Sequence, residues 1–305
     1  ADRTPLRPAP STITAQTPII SVRNVVKKFG GVAVLKGIDL DVMPGETMVI
    51  MGGSGSGKST LLRLIIGSMQ PDEGEILLFG KSICTMSQRE LDEVRKRLGI
   101  LFQSGALFNS MTLAENVSLP LSEHTDLDWG TIDISVHIKL DLVGLLEHAA
   151  KYPSQISGGM KKRAGLARAL ALDPEILFYD EPSAGLDPVT SAQIDQLIMN
   201  LSRKLGVTSV VVTHEMDSAF TIADRMAMLD KGRMIKVESR AWFEKVRAGT
   251  EAEAAAWPVD ERLIRQFLRG DAEGPITDRR DTQLLERKLL GAELLPTPSL
   301  MPSRA

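Results

Sequence analysis

A run of glycine and hydroxyl residues, GGSGSGKST at Gly52–Thr60, has residue types and a spacing suited to binding phosphate. It follows the apolar stretch Thr47–Met51, which predicts a strand, and precedes Leu61–Ile66, which predicts a helix. Between such elements, backbone N–H groups point inward at negative charge, and the helix N-terminus adds a partial positive charge. A simple Gly/Ser turn would not require a strand before it and a helix after it. The spacing therefore predicts a phosphate-binding loop, with candidate ATP contacts at Gly52, Gly53, Ser54, Gly55, Ser56, Gly57, Lys58, Ser59 and Thr60.

Two side chains of the loop and one acidic pair can do the accompanying chemistry. Lys58 can reach the β- and γ-phosphates, and the Ser59 hydroxyl can hold Mg²⁺. Asp180 and Glu181 follow the apolar run Ile176–Tyr179, which predicts a buried strand. By itself the pair fits a helix cap or a loop equally well. Beside a phosphate loop, we expect Asp180 to hold Mg²⁺ through water and Glu181 to polarise an attacking water.

A second glycine pair precedes a basic helix. The segment Ser157-Gly158-Gly159-Met160 comes directly before Lys161–Leu172, which predicts a helix. Two glycines at a helix start can form another anion cradle. A plain helix-entry turn explains the same residues, and taken alone the segment favours that interpretation.

The elements around these residues predict an α/β fold. The apolar runs Ile176–Tyr179 and Val207–Val212 flank the helical pattern Ala192–Leu205, and this βαβ alternation indicates a parallel sheet. Met226–Leu229 and Met234–Val237 predict a terminal hairpin. Residues 103–170 are expected to be mostly helical, with breaks near Pro120 and Pro153.

Composition excludes several classes of protein. With 305 residues and a net charge of −3, the chain has no electrostatic footprint for nucleic acid. Cys84 is its one cysteine, which excludes a zinc site built on several thiolates. There is no stretch of about 18 consecutive apolar residues. Neither an H-E-x-x-H nor a G-x-S-x-G motif occurs. Residues 1–18 carry four prolines and are expected to be a disordered leader.

The order of the motifs resembles that in the ATPase subunits of ABC transporters, over roughly Ile19–Val237. Each motif of the family has a counterpart: Walker A at Gly52–Ser59, the Q-loop at Gln103, the signature at Ser157–Met160, Walker B at Asp180 with the catalytic glutamate at Glu181, the D-loop at Ser183–Asp187, and the H-loop at His214. Phe29 falls where the family stacks an aromatic ring on adenine. Taken alone, His214 would be read as a structural histidine.

The resemblance implies a fold and a set of domains. It implies a P-loop NTPase (RecA-like) α/β core with an antiparallel β subdomain and an inserted α-helical subdomain. The ATPase domain would span residues 19–238, with the helical subdomain at about 88–170. Beyond the stretch that the resemblance covers, the helical patterns Ala241–Val246 and Glu261–Leu268 predict a C-terminal helical extension over 239–290, and a Pro/Ser composition predicts a disordered tail over 291–305.

The resemblance also implies roles for individual residues. Glu181, His214 and Gln103 would be catalytic: Glu181 orients water, His214 holds the γ-phosphate, and Gln103 senses Mg²⁺ and water. The cofactors would be ATP and Mg²⁺, with metal contacts from Ser59, Gln103 and Asp180. Phe29 would be a further ATP contact through the adenine ring. Two copies would pack head to tail, and the remaining ATP contacts would be Ser157, Gly158, Gly159 and Asp187.

One departure from the family pattern points to a subfamily. The signature is usually Leu-Ser-Gly-Gly-Gln, whereas this chain has Ile156 and Met160 at its ends. Ser-Gly-Gly-Met followed by basic residues resembles the ATPases of Mce-type (Mla-like) lipid transporters, as do three longer stretches: Phe102–Leu121, Val212–Gly232 and Arg265–Pro275. That likeness implies phospholipid transport between inner and outer membranes, at the cytoplasmic face of the inner membrane.

The implied partners are integral membrane permease subunits, a substrate-binding Mce-domain protein and a small cytoplasmic subunit. The apolar residues after Gln103 either form a groove for a permease helix or fill the core of the helical subdomain; they are Leu107, Phe108, Met111 and Leu119.

A small-solute importer ATPase is the alternative within the class. A soluble ABC protein acting on nucleic acid or ribosomes is the alternative of another class, although such proteins usually carry two cassettes or long coiled coils. A regulator that binds nucleotide without hydrolysing it is disfavoured by Glu181 and His214.

Overall fold

The computed structural model describes residues 17–254 and 257–269. Most of the expected leader, all of the expected tail 291–305 and the end of the stretch Arg265–Pro275 lie outside these residues. The chain divides into two compact units between Arg240 and Ala241. The predicted domain limits, including the helical subdomain and the C-terminal extension, stay predictions.

Strands and helices alternate along most of the described chain. The strands are β1 (Ile20–Phe29), β2 (Val32–Val42), β3 (Thr47–Met51), β4 (Glu73–Leu78), β5 (Lys81–Ser82), β6 (Leu98–Leu101), β7 (Ile176–Asp180), β8 (Thr208–Thr213), β9 (Arg225–Asp230) and β10 (Arg233–Ser239). The helices are α1 (Lys58–Ile65), α2 (Gln88–Arg95), α3 (Leu113–His124), α4 (Trp129–Leu142), α5 (Gly158–Ala169), α6 (Pro188–Leu205), α7 (Met216–Ile222), α8 (Arg240–Ala248), α9 (Glu251–Ala254) and α10 (Val259–Arg269).

A central sheet in the order β10-β9-β3-β8-β7-β6 carries the site. All its neighbouring strands are parallel except the terminal hairpin β9–β10. The predicted strand Thr47–Met51 matches β3, which is buried throughout, as is β8. Since parallel strands end at one edge of a sheet, the loops after β3, β6, β7 and β8 meet there. The predicted α/β class is confirmed.

A second, antiparallel sheet in the order β2-β1-β4-β5 shares a hydrophobic core with the central sheet. Helix α1 supplies Leu61 and Ile65 to this core, where the cluster also contains Ile38 of β2 and Phe178 of β7. All four side chains are fully buried. At about 25 cal/mol per Å² of apolar surface, each such side chain contributes roughly 1.5–3 kcal/mol relative to exposure. The helix that follows the phosphate loop is thereby fixed against both sheets.

Helices α3, α4 and α5 lie in sequence between β6 and β7 and contact one another. The break predicted near Pro120 is wrong, because α3 continues through that residue to His124. Leu113, Val117 and Leu121 recur every four residues on its buried face, and their burial outweighs the backbone hydrogen bond that proline removes. The break predicted near Pro153 is confirmed, since this residue begins a short 3₁₀ helix.

The apolar residues after Gln103 do not fill the core of these helices. Phe108 is 51% exposed, and Leu107, Met111 and Leu119 are each partly exposed. The side chain of Asn116 instead organises the turn before α3, because its amide nitrogen donates to the carbonyls of Phe108, Met111 and Thr112. These contacts hold Phe108 at the surface.

The unit after Arg240 contains most of α8 together with α9 and α10. Phe243 and Val246 of α8 and Ile264 and Leu268 of α10 are buried. Arg265 donates from Nε to the carbonyl of Gly249, 2.8 Å away. Across the described residues, every helix is too short or too polar to span a membrane.

Gly232, in the turn between β9 and β10, joins three segments. Its N–H donates to the Ser56 carbonyl of the glycine-rich loop, and its carbonyl accepts from Lys36 N–H of β2. A Cβ at Gly232 would lie 2.0 Å from the Val34 carbonyl oxygen. The position therefore tolerates no side chain without moving backbone.

We expect Gly232→Ala to destabilise the fold by about 2–4 kcal/mol, the sum of left-handed strain and overpacking. Gly80→Ala is the matched control, because its φ of 75° is close to the 79° of Gly232 while its Cβ would meet nothing within 4 Å. It should cost only about 1 kcal/mol. Urea unfolding measures both. Equal losses in the two variants would contradict the close approach at Gly232.

Candidate nucleotide-binding site

The glycine-rich loop runs from the end of β3 into α1. A Cβ at Gly52 would lie 2.1 Å from the Leu229 carbonyl oxygen, so only glycine fits at this packed position. Gly57 is the N-cap of α1, with a φ of 108° and no side-chain hydrogen bond. The first N–H groups of α1 therefore lack a side-chain cap and point toward the loop, where they can meet an anion.

Lys58 lies inside the loop. Its Nζ donates to the carbonyls of Gly52 (2.8 Å) and Gly53 (3.1 Å) and is 4.0 Å from Oε1 of Glu181. Burial lowers the pKa of Lys58, while the charges of Glu181 and Asp180 act in the opposite direction. The loop thus holds a nearly buried ammonium group where the phosphates of a nucleotide would lie.

Ser59 and Asp180 meet across the sheet edge. The Ser59 Oγ donates to Oδ1 of Asp180 at 3.4 Å. Burial and the neighbouring charge of Glu181 raise the pKa of Asp180. In the described part of the chain, no group of three or more His, Cys, Asp or Glu side chains is placed to hold a metal ion. A hydroxyl and one carboxylate fit Mg²⁺ that is bound mainly by substrate phosphates and water.

Glu181 connects the ends of β7 and β8. Its backbone has a φ of 51°, and its N–H donates to the Val212 carbonyl. Its Oε2 lies 2.9 Å from Nδ1 of His214 and accepts a hydrogen bond from His214 N–H at 3.3 Å. The carboxylate is nearly buried, whereas more than half of the His214 side chain is exposed. This pair can orient a water molecule beside the loop.

Gln103 and Phe29 lie at the surface. Gln103 follows the end of β6 by two residues, at the same sheet edge as Asp180, because β6 and β7 are parallel neighbours. Phe29 ends β1 and is 48% exposed, with Lys27 Nζ 5.7 Å from its ring centroid. An exposed ring of this kind has a face that can stack on a planar base.

The signature segment packs against the D-loop. Ser157 is the N-cap of α5, where its Oγ accepts from Met160 N–H at 3.3 Å. A Cβ at Gly159 would lie 2.4 Å from Cγ2 of Thr190, and one at Gly158 would contact Leu186. Asp187 is the N-cap of α6. Hydrogen bonds from Thr190 lower the pKa of Asp187.

Nine of the predicted site residues form two sets. Lys58, Ser59, Asp180, Glu181 and His214 are linked by the contacts above. Ser157, Gly158, Gly159 and Asp187 lie together elsewhere. Within residues 17–254 and 257–269, no hydrogen bond or ion pair joins this second set to the glycine-rich loop.

Lys162 makes a contact that the sequence does not predict. Its Nζ donates to the backbone carbonyl of Glu181 at 2.9 Å. In the sequence it is one of several basic residues after Met160, and no local pattern separates it from its neighbours.

Comparison with known proteins identifies the family. Residues 35–184 match the family described as ABC transporter. The MlaF protein of Haemophilus influenzae, an intermembrane phospholipid transport system ATP-binding protein, is 43% identical over 85% of this chain and 93% of its own length. This chain belongs to the ABC transporter family. As an ABC-type ATPase, it binds and hydrolyses ATP.

Two further relatives extend the comparison. The probable ribonucleotide transport ATP-binding protein Mkl of Mycobacterium leprae is 42% identical to this ABC ATPase over 84% of the chain and 70% of the relative. The dimeric ATP-binding cassette MJ0796, solved in a post-hydrolysis state with ADP and Pi, is 34% identical, with a TM-score of 0.67. That match covers 72% of this chain and 98% of the cassette.

We expect Asp180→Asn to raise the thermal unfolding midpoint of the nucleotide-free ATPase at pH 7, on the order of 2 °C. The folded-state pKa of Asp180 is raised, so its ionised form destabilises the fold at pH values above that pKa. The gain should shrink as the pH falls through the raised pKa of Asp180, because the wild-type side chain then becomes protonated and loses its charge.

Asp126→Asn is the control, because this acid is exposed in the loop between α3 and α4. Its midpoint should match that of the wild type at both pH values. An Asp180→Asn midpoint at or below the wild-type value at pH 7 would contradict the destabilisation of the ionised Asp180 by burial and by the charge of Glu181.

Proposed function

We propose that this chain is the ATP-hydrolysing subunit of a Mla/Mce-type ABC transporter that moves phospholipids between inner and outer membranes. The observation that carries the substrate class is the 43% identity to a phospholipid-transport ATP-binding protein over 93% of that relative. A second MlaF, from Escherichia coli, is 44% identical over 86% of this chain.

The proposed roles follow from the contacts at the sheet edge. The loop N–H groups and Lys58 bind the β- and γ-phosphates of ATP. Glu181, which is hydrogen-bonded to His214, positions the attacking water. His214 holds the γ-phosphate, and Phe29 stacks on adenine. Ser59, Asp180 and Gln103 are the candidates to hold Mg²⁺, which when bound neutralises charge developing on the phosphates.

A second copy of the chain completes the site in this proposal. Ser157, Gly158 and Gly159 form an anion cradle at the start of α5, separate from the glycine-rich loop of the same chain. ATP carries about four negative charges, which two opposed cradles can share. The dimeric state of the MJ0796 cassette supports a pair of copies. In the proposed head-to-tail arrangement, each copy offers its signature to the other's nucleotide. Asp187 would lie near that interface.

The proposed partners are integral permease subunits, a Mce-domain protein and a small cytoplasmic subunit, with the ATPase bound at the cytoplasmic face of the inner membrane. The exposed ring of Phe108 supports a contact after Gln103, because a large apolar side chain at 51% exposure is available to a partner. Arg168 holds this segment through the carbonyls of Ala106 and Gly105.

We expect Glu181→Gln to lower kcat for ATP hydrolysis by roughly 10²–10⁴-fold, because the amide cannot polarise water as the carboxylate does. ATP affinity should stay within about threefold of the wild-type value, since Lys58 and the loop are unchanged. Phosphate release measures the rate, and ATP-dependent dimers should accumulate in gel filtration. Glu123→Gln, an exposed acid near the end of α3, is the charge-matched control.

Lys58→Ala separates binding from chemistry, because it removes the ammonium group that lies inside the loop. It should lose ATP affinity as well as hydrolysis. Near-normal turnover in Glu181→Gln, or unchanged affinity in Lys58→Ala, would remove these residues from their roles.

The Mkl relatives favour a second substrate class, ribonucleotides. Purification of the ATPase with its co-expressed membrane subunits distinguishes the two. We expect bound phospholipid by mass spectrometry and an ATPase rate that rises by about twofold or more in phospholipid nanodiscs, since a ligand that favours the catalytic state raises its population. Stimulation by added ribonucleotide, with no lipid retained, would reverse the assignment.

A further inference from the structure

Lys162 lies in the first turns of α5, the helix that Ser157 caps. Its side chain is buried, and the residue is only 5% exposed. Its Nζ donates to the Glu181 carbonyl oxygen at 2.9 Å. The contact therefore joins the signature helix to the backbone of the proposed catalytic glutamate.

Burying a lysine side chain costs free energy, because the ammonium group loses its hydration, and one hydrogen bond to a carbonyl offsets only part of that cost. Burial lowers the pKa of Lys162, while the charges of Glu181, Glu215 and Asp180 favour its protonated form. These acids surround the end of β7 and the segment after β8. The lysine thus balances negative charge at the same edge where the phosphates of ATP would add more.

The Glu181 backbone needs to be held. Its φ of 51° lies in the left-handed region, which residues other than glycine seldom adopt and which persists only when the surroundings impose it. The Glu181 N–H is fixed by the Val212 carbonyl, and the Glu181 carbonyl is fixed by Lys162. Two hydrogen bonds from different elements therefore fix the Glu181 backbone, from which the carboxylate side chain extends.

We propose that Lys162 is a positioning residue for ATP hydrolysis, which holds the Glu181 peptide in its left-handed conformation from the signature helix. The role rests on the proposed function of Glu181. The same helix contacts the segment after Gln103, because Arg168 donates to the carbonyls of Gly105 and Ala106. A displacement of Ser157 on binding nucleotide would therefore reach Glu181 through α5 and Lys162.

The test compares Lys162→Met, Lys162→Arg and Lys161→Met in the full-length chain. Lys162→Met should lower kcat by about 10–100-fold, because a displaced catalytic group loses its alignment with water and phosphate. The KM for ATP should stay within about threefold, since the loop contacts are intact. Lys162→Arg keeps the donor and the charge and should recover most of the rate. Lys161→Met removes the neighbouring charge and should match the wild type.

Unfolding curves first establish that each variant folds. Where Lys162→Met does not fold, Lys162→Ala takes its place, because alanine also lacks a donor for the carbonyl and favours the helix. Equal kcat in Lys162→Met and Lys161→Met would overturn the positioning role, and so would a parallel loss of kcat and ATP affinity. A wild-type chain that does not hydrolyse ATP would overturn the proposed function and this role with it.

Discussion

The structure depends on one concentration of charge at the carboxyl edge of the central sheet. Strands β3, β7 and β8 are parallel neighbours, so Lys58, Asp180 and Glu181 must come together when the sheet forms. Lys58 Nζ lies 4.0 Å from Glu181 Oε1, and the adjacent Asp180 accepts a hydrogen bond from Ser59 of the same loop, in partly buried surroundings that screen charge less than water does. Burial, together with the neighbouring charge of Glu181, raises the pKa of Asp180, so the ionised carboxylate is disfavoured at this edge. The edge is thus organised for its ligands rather than for its own stability.

The separation of the two glycine-rich segments follows from where they lie in the chain. The loop before α1 is held by the shared core of the two sheets, whereas the signature lies close to Leu186 of the D-loop and to Thr190 at the start of α6. In the proposed head-to-tail pair, a polyanion that contacts both segments would bring a second chain to the first, and binding energy would become association energy.

Much of the fold follows from local patterns in the sequence. Thr47–Met51 is a strand because every residue is suited to burial on both faces, and the glycine spacing after it has few alternatives. The continuation of α3 through Pro120 could not be predicted, because the deciding factor is burial of Leu113, Val117 and Leu121 against other helices. The link from Lys162 to Glu181 joins residues 19 positions apart in sequence, through a carbonyl that carries no sequence signal. The family resemblance predicts roles for Glu181 and His214, but the hydrogen bond between them is known only from the structure.

Gly232 has a consequence for the length of molecule that the site accepts. Through its two hydrogen bonds, the hairpin turn ties Ser56 of the phosphate loop to Lys36 of β2. Strand β2 pairs along β1, which ends at Phe29. The span from aromatic ring to phosphate cradle is therefore fixed by backbone hydrogen bonds rather than by adaptable side chains. With the proposed roles of Phe29 and the phosphate loop, such a frame would discriminate by size: inorganic triphosphate would satisfy only one end, and a nucleoside only the other.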